Sequence, residues 1–350
     1  MSGNPSMTTA QKQAYGDLFH RIKREQPLGK DVAQEVLSKL FQQVVGEEVA
    51  NLGFDYVNGT QATLEPLREL LDRYTDDFMP DLHVEWDDIS IDTLLAQNDL
   101  ETRWKFNIPT LCTKVEGVNA GHLIEIGARS NVGKTSFHAS MVASPKGFAA
   151  QGASCMVLCN EEGSPRVGAR YLQACTGMTL MQIKENPKAA WDMYGKIRNN
   201  IFLKDVTGKD MGWVESVCKS YKPDIVVLDM GDKFATTQGF ARTDEALKAN
   251  VVYARQIAKM YECAMFYMSQ LSADAEGKIQ LNQAMMEGSR TGKAAEADLM
   301  ILIAKNPPVE GVNGEEESTQ RHLNVVKNKL SGWHGRIICE LDYRTARYTA

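Results

Sequence analysis

The residues best placed to do chemistry lie in Gly121–Met141, G-H-L-I-E-I-G-A-R-S-N-V-G-K-T-S-F-H-A-S-M. Leu123, Ile124 and Ile126 form an apolar run that reads as a strand. A turn of small and polar residues follows, then Gly133-Lys134-Thr135. Phe137 and Met141, four apart, open a helical pattern. Strand, turn and helix N-terminus together make a cradle for anionic oxygens, because their free backbone N–H groups converge on one spot. The candidate phosphate-binding residues are Ala128, Arg129, Ser130, Asn131, Val132, Gly133, Lys134, Thr135 and Ser136. Lys134 offers a point charge to the outer phosphates, and Thr135 a hydroxyl to Mg²⁺. ATP with Mg²⁺ is the expected ligand. The loop departs from the usual G-x-x-x-x-G-K-[ST] at its first position, where Ala128 stands with Gly127 just before it.

Three later segments supply complementary groups. Asp224–Asp229, D-I-V-V-L-D, reads as a buried strand that delivers a carboxylate to its C-terminal edge, where ligands bind in parallel sheets. Asp229 is the candidate Mg²⁺ residue beside Thr135, with Asp232 a spare carboxylate nearby. Met156–Gly163, M-V-L-C-N-E-E-G, is a strand ending in two acids. Hydrolysis needs a base that orients and deprotonates water, and Glu161 or Glu162 can fill that role, Glu161 first. Met268-Ser269-Gln270-Leu271 closes another apolar run. The Gln270 amide at a strand tip can bond a γ-phosphate or the attacking water.

The wording and order of these segments resemble the DnaB family of replicative helicases. A-R-S-N-V-G-K-T, with Ala then Arg at its start, is similar to that family's phosphate loop, and S-Q-L resembles its polar sensor. Arg170 resembles a family arginine near the same site. Glu287–Asp298, E-G-S-R-T-G-K-A-A-E-A-D, is similar to a family segment that touches the DNA backbone in a central channel. The carry-over falls on Arg290, Gly292 and Lys293, although the spacing departs by a residue on each side of Gly292. Val326–Gly335, V-K-N-K-L-S-G-W-H-G, resembles the K-x-R hairpin that reaches a neighbour's ATP site. Lys327 matches its first residue. Lys329 stands where the family has an arginine finger, and lysine lacks the planar fork of arginine. Arg336 is the alternative finger. The resemblance covers 104–350 well and 1–90 only loosely.

Composition sets the remaining bounds. The 350-residue chain carries a net charge of −6, unevenly spread. Residues 1–100 hold 8 Lys+Arg and 18 Asp+Glu, a net of −10, which leaves +4 for the rest. A basic C-terminal part permits nucleic-acid binding and an acidic N-terminal part does not favour it. No apolar run has the length of a membrane span. Seven cysteines without a C-x-x-C fit a reduced cytoplasm and give no zinc site.

The N-terminal part reads as a small helical domain over 1–75, with helices expected over Gln11–Glu25, Asp31–Val49 and Ala62–Tyr74. Gly53–Gly59 reads as a turn or short extended piece. Residues 76–103 read as an acidic linker, with a short helix at Ser90–Gln97. Apolar runs then alternate with helical patterns over 104–350, at 123–127, 155–159, 224–229, 264–269, 299–304, 322–327 and 336–341. That alternation predicts an α/β domain with a mostly parallel sheet, and with the resemblance a RecA-like ATPase core. Asn306–Thr319 reads as a surface loop. The resemblance implies a phage-type hexameric ring that translocates on single-stranded DNA, unwinds duplex, and works with a separate primase, polymerase or loader in the host cytoplasm. The rival expectation is a RecA- or KaiC-like ring or filament that binds single strands without unwinding.

Overall fold

The structure is a computed structural model that describes residues 30–67, 69–71, 103–236, 242–287, 292–311, 314–316 and 318–349. The chain divides into two compact units, Met1–Thr93 and Leu94–Ala350. In the first unit one long helix, α1, spans Lys30–Val57. It runs straight through Gly53, so the expected turn begins only at Asn58. Residues 65–67 and 69–71 are helical as well. The expected helices Gln11–Glu25 and Ser90–Gln97, and most of the acidic linker, lie outside the described residues.

The second unit is built on a sheet of nine strands. Its elements in chain order begin with β1 (Trp104–Lys105), α2 (Pro109–Val115), β2 (Gly117–Val118), β3 (Leu123–Ala128), α3 (Lys134–Ala143), β4 (Cys155–Cys159) and α4 (Ser164–Thr176). Then follow α5 (Leu180–Glu185), α6 (Pro187–Tyr194), β5 (Ile201–Asp205), α7 (Met211–Tyr221), β6 (Ile225–Asp229), α8 (Thr243–Met260) and β7 (Ala264–Gln270). The last are α9 (Gly292–Glu296), β8 (Leu299–Lys305), β9 (Val309–Gly311), β10 (Gly314–Glu316), β11 (Gln320–Asn328), β12 (Gly335–Asp342) and β13 (Arg347–Thr349). The strand order in the sheet is β13-β12-β11-β8-β3-β7-β6-β4-β5. From β8 to β5 neighbours are parallel, and from β8 outward through β13 they are antiparallel.

Alternation along the central strands explains why these runs are strands. Ile124 and Ile126 of β3, Val227 of β6 and Phe266 of β7 face one apolar layer, with Phe137 of α3 and Tyr171 of α4. Leu123, Val226, Leu228 and Met265 face the other, with Val251 and Ile257 of α8. A strand covered on both faces reads as a continuous apolar run, which is how β3, β6, β7 and β8 announce themselves. Two strands escape that signal. β5 is an edge strand with a largely exposed pattern, and β13 is three residues long. The expected loop 306–319 also contains a hairpin, β9 with β10.

One ion pair ties the starts of β3 and β8 to the last turns of α8. Asp298, just before β8, accepts the Leu123 N–H at 3.0 Å, while its own N–H donates to Leu123 O at 2.9 Å. Arg255 of α8 forks onto both oxygens of the same carboxylate and also bonds Gly121 O at 2.9 Å. The Asp298 and Arg255 side chains are only 8% and 18% exposed. Asp298→Ala would leave the guanidinium and the Leu123 N–H short of partners. It should lower unfolding stability by about 3–5 kcal/mol, read from urea midpoints at constant slope.

Candidate active site

The phosphate loop lies between the end of β3 and the start of α3. Asn131 and Gly133 sit in left-handed backbone, with φ of 60° and 109°. Gly133 is also the N-cap of α3, with no side-chain cap, so the first helix N–H groups are left for a ligand. A Cβ at Gly133 would stand 2.5 Å from Leu341 Cδ2 and 2.8 Å from the Tyr348 hydroxyl. The loop is held from behind by the C-terminal strands. Arg321 Nε donates to Val132 O at 2.7 Å, and the Tyr348 hydroxyl donates to Gly133 O at 3.1 Å. With its carbonyls bonded outward, the loop is pre-shaped for an anion.

The pocket in front of this loop gathers most of the expected residues. Ser130, Lys134, Thr135, Glu161, Glu162 and Gln270 all line it. Burial pulls the Lys134 ammonium below the usual lysine range, against the opposing pull of Glu161 and Asp229. Its Nζ contacts the Met230 sulfur and stands 3.7 Å from Glu161 Oε2. Lys233 lies 3.9 Å from the other Glu161 oxygen. Glu162 is engaged differently, paired with Arg166 at 2.9 Å and Arg170 at 3.0 Å. The two acids are thus sorted by their cations: Glu162 is tied into α4, and Glu161 faces the phosphate-binding lysine. Gln270 Nε2 donates to Ser130 Oγ at 3.2 Å, which puts the amide on the loop itself. Arg129 also borders the pocket, its guanidinium bonded to Glu276 and to Leu271 O.

Asp229 ends β6 in full burial, and neither carboxylate oxygen has a hydrogen-bond partner among the described residues. Burial alone would raise its pKa. His138, 3.7 Å away, together with Lys134 and Arg170, more than offsets this and holds the carboxyl below the usual range. A buried carboxylate held ionised with both acceptors unfilled, close enough to act on Lys134 of the phosphate loop, is the kind of donor a divalent cation takes. The residues present therefore fit Mg²⁺.

Other expected residues lie elsewhere. Lys327 Nζ bonds the carbonyls of Ala294 and Ala295, and Lys329 is half-exposed beside Asp298 at 4.0 Å. Arg336 is exposed on β12. Arg290 lies outside the described residues, and Gly292 opens α9. Lys293, expected on a phosphate backbone, is instead fully buried, its Nζ 2.6 Å from Asp232 Oδ1. Sequence reasoning also missed His138, Arg321, Tyr348 and Glu125. Two of these left a signal: a histidine one turn after Lys134, and an acid inside the apolar run L-I-E-I.

The profile described as DnaB-like helicase C terminal domain matches residues 105–349. The chain belongs to the DnaB-like helicase family. Residues 105–349 are accordingly the nucleotide-binding, ATP-hydrolysing domain of a helicase. Two solved structures share the fold. One, an isolated ATPase domain, has TM-score 0.64 at 17% identity, covering 75% of this chain and 99% of that one. The other, a DnaB-like replicative helicase described with its interactions with primase, has TM-score 0.66 at 15% identity, covering 98% of this chain and 80% of that one. No curated protein sequence matches the chain.

Glu125 gives the DnaB-like domain a pH signature. Burial raises its carboxyl from the usual 4.5 to about 7, although Lys293 pulls the other way. Between those values the native state keeps a proton that the unfolded chain has lost. Stability from this group is therefore present below about pH 4.5 and lost as pH rises through about 7. Glu125→Gln should remove this decline. Urea unfolding at pH 5 and 7.5 should show wild type losing about 2 kcal/mol more than the variant across that interval.

Proposed function

We propose that this DnaB-family chain is a replicative DNA helicase that assembles as a hexameric ring, translocates on single-stranded DNA and unwinds duplex by hydrolysing ATP with Mg²⁺. The observation that carries this reading is the separation of the cationic groups across the sheet. Lys134 follows β3, whose last residue, Ala128, lies beside Ile303 near the end of β8. Lys327 pairs with Met300 near the opposite end of β8. Neither Lys327 nor Lys329 lines its own pocket. An exposed lysine turn at the wrong edge of the sheet serves an ATP site only if another copy presents that site. A ring supplies such a copy at every interface.

The roles follow from chemistry. The free N–H groups of the loop and Lys134 hold the phosphates, and Thr135 with Asp229 holds Mg²⁺, which when bound neutralises charge on the transferred phosphoryl group. Glu161 orients and deprotonates the water. Gln270 senses the terminal phosphate. Lys329, aided by Lys327, is the finger in trans. Arg290 keeps a proposed contact with the strand backbone, where charge neutralisation reads no sequence. We divide the chain into a helical domain over 1–75, an acidic linker over 76–103 and the ATPase domain over 104–350. No described helix is long and apolar enough to cross a membrane. We place the protein in the cytoplasm, where a helicase meets replicating DNA. One structural relative is described with its interactions with primase, which supports a primase, and by extension a polymerase or loader, as partner.

Unwinding of forked DNA, with both tail polarities, tests the reading. Robust ATP hydrolysis without unwinding would favour a RecA- or KaiC-like ring instead. Glu161→Gln should keep nucleotide affinity and lower kcat by about 10²–10⁴-fold, because an amide cannot take the proton. If Glu162→Gln is the inactive variant and Glu161→Gln is not, the base is misassigned. The trans role is tested by mixing Lys134→Ala with Lys329→Ala subunits. Neither homogeneous ring should turn over, while mixed rings should regain activity at interfaces with both lysines intact. No recovery in verified mixed rings would show that Lys329 does not act across the interface.

A further inference from the structure

Lys293 is a cation placed where no water reaches it. Its side chain is 0% exposed, on the one-turn helix α9. Its Nζ lies 2.6 Å from Asp232 Oδ1 and 3.2 Å from Ser269 Oγ. Ser269 in turn donates to Glu125 Oε1 at 3.0 Å. Removing an ammonium from water costs several kcal/mol, and an apolar side chain of similar length would fill this space without that cost. The contacts of its partners indicate what the ammonium does. The second Asp232 oxygen accepts the main-chain N–H of Gln270 at 3.4 Å, and Gln270 Nε2 reaches Ser130 in the phosphate loop.

The other side of α9 is held just as directly. Lys327 Nζ donates to the carbonyls of Ala294 and Ala295, the residues next to Lys293. The Lys329 N–H donates to Asp298 O at 2.7 Å, just after α9. A single helical turn is therefore gripped on one side from the ATP sensor and on the other from the lysine turn. Each link is a charged or main-chain hydrogen bond, and these are directional and cannot slide without losing a partner.

We propose that Lys293 is a positioning residue: through Asp232 it sets the place of Gln270 in one ATP site, and through α9 it sets the Lys327–Lys329 turn offered to the next. Adjacent ATP sites are thereby mechanically coupled. The inference rests on the reading that Lys329 acts in trans. On the proposed sensor role, Gln270 loses a partner when the terminal phosphate leaves, and the two resulting positions are the states that such a link can transmit.

The test is steady-state ATP hydrolysis by the full chain across ATP concentrations, with single-stranded DNA present. Wild type is expected to be cooperative in ATP, with a Hill coefficient above 1. Lys293→Met should bring the coefficient to 1 and, because it loosens both Gln270 and the lysine turn, lower kcat, while the half-saturating ATP concentration changes by less than about threefold. A purely structural role would instead lower the melting temperature and leave the coefficient alone. Asp232→Asn keeps the shape but has only one acceptor oxygen for two donors, and should have the same effect. Unchanged cooperativity in folded Lys293→Met overturns the inference. If that variant does not fold, the same result in Asp232→Asn overturns it. So does a wild-type coefficient of 1 in rings where the mixed-subunit experiment succeeds. Failure of that mixing experiment overturns the trans reading itself, and it is a separate observation from an unchanged coefficient.

Discussion

A phosphate loop is useful only if its N–H groups point inward before the anion arrives, and here that orientation is imposed from outside the loop. The carbonyls of Val132 and Gly133 are bonded to Arg321 and Tyr348 on the C-terminal strands. Each peptide unit has one rigid plane, so fixing the carbonyl on one side aims the next N–H to the other. The left-handed turn at Gly133 completes the arrangement. Its hydrogen atom occupies a space that a methyl group would share with Leu341 and Tyr348. The antiparallel extension of the sheet is thus part of the nucleotide site, although none of its residues needs to touch nucleotide.

The same logic of outside support applies to charge. Asp229 is a carboxylate in a position where burial favours the neutral form. It stays ionised because His138, Lys134 and Arg170 surround it. Glu162 draws Arg166 and Arg170 to itself and leaves Glu161 facing Lys134. Two adjacent acids of identical pattern in the sequence therefore differ in the fold by which cations lie within reach.

What could be read in the sequence was what is local. The glycine turn before Lys134 and the apolar runs of β3, β6, β7 and β8 depend on neighbours in the chain, or on burial of both faces, and each leaves a pattern. Arg321 could not be read, because its partner Val132 lies 189 residues away. The same holds for Lys293 and Asp232, 61 residues apart. A lysine between glycine and alanine looks like a solvated loop cation, and only the fold shows it sealed beneath the sheet edge. β5 failed for the opposite reason. As an edge strand it buries little, and I-F-L-K-D has no clean period of two.

β11 concentrates these relationships in one element. Its first half carries Arg321, which bonds the phosphate loop of its own subunit. Its far end carries Lys327 and leads into Lys329. Between them the pairing with β8 skips a residue, between Val325 and Lys327. A bulge of that kind re-aims the side chains that follow it. Without the skip, strict alternation would keep the far end on the faces set by the first half. With it, Lys327 turns onto the carbonyls of α9. A paired strand is stiff along its length, at roughly 3.3 Å per residue. On the proposed reading, the strand that shapes one nucleotide site from behind also fixes how far the lysine turn projects toward the next. Up to Val325 β11 is hydrogen-bonded on both edges, to β8 and to β12, and past the bulge to β8 alone, so any movement between the two ends is confined to the segment around Val326.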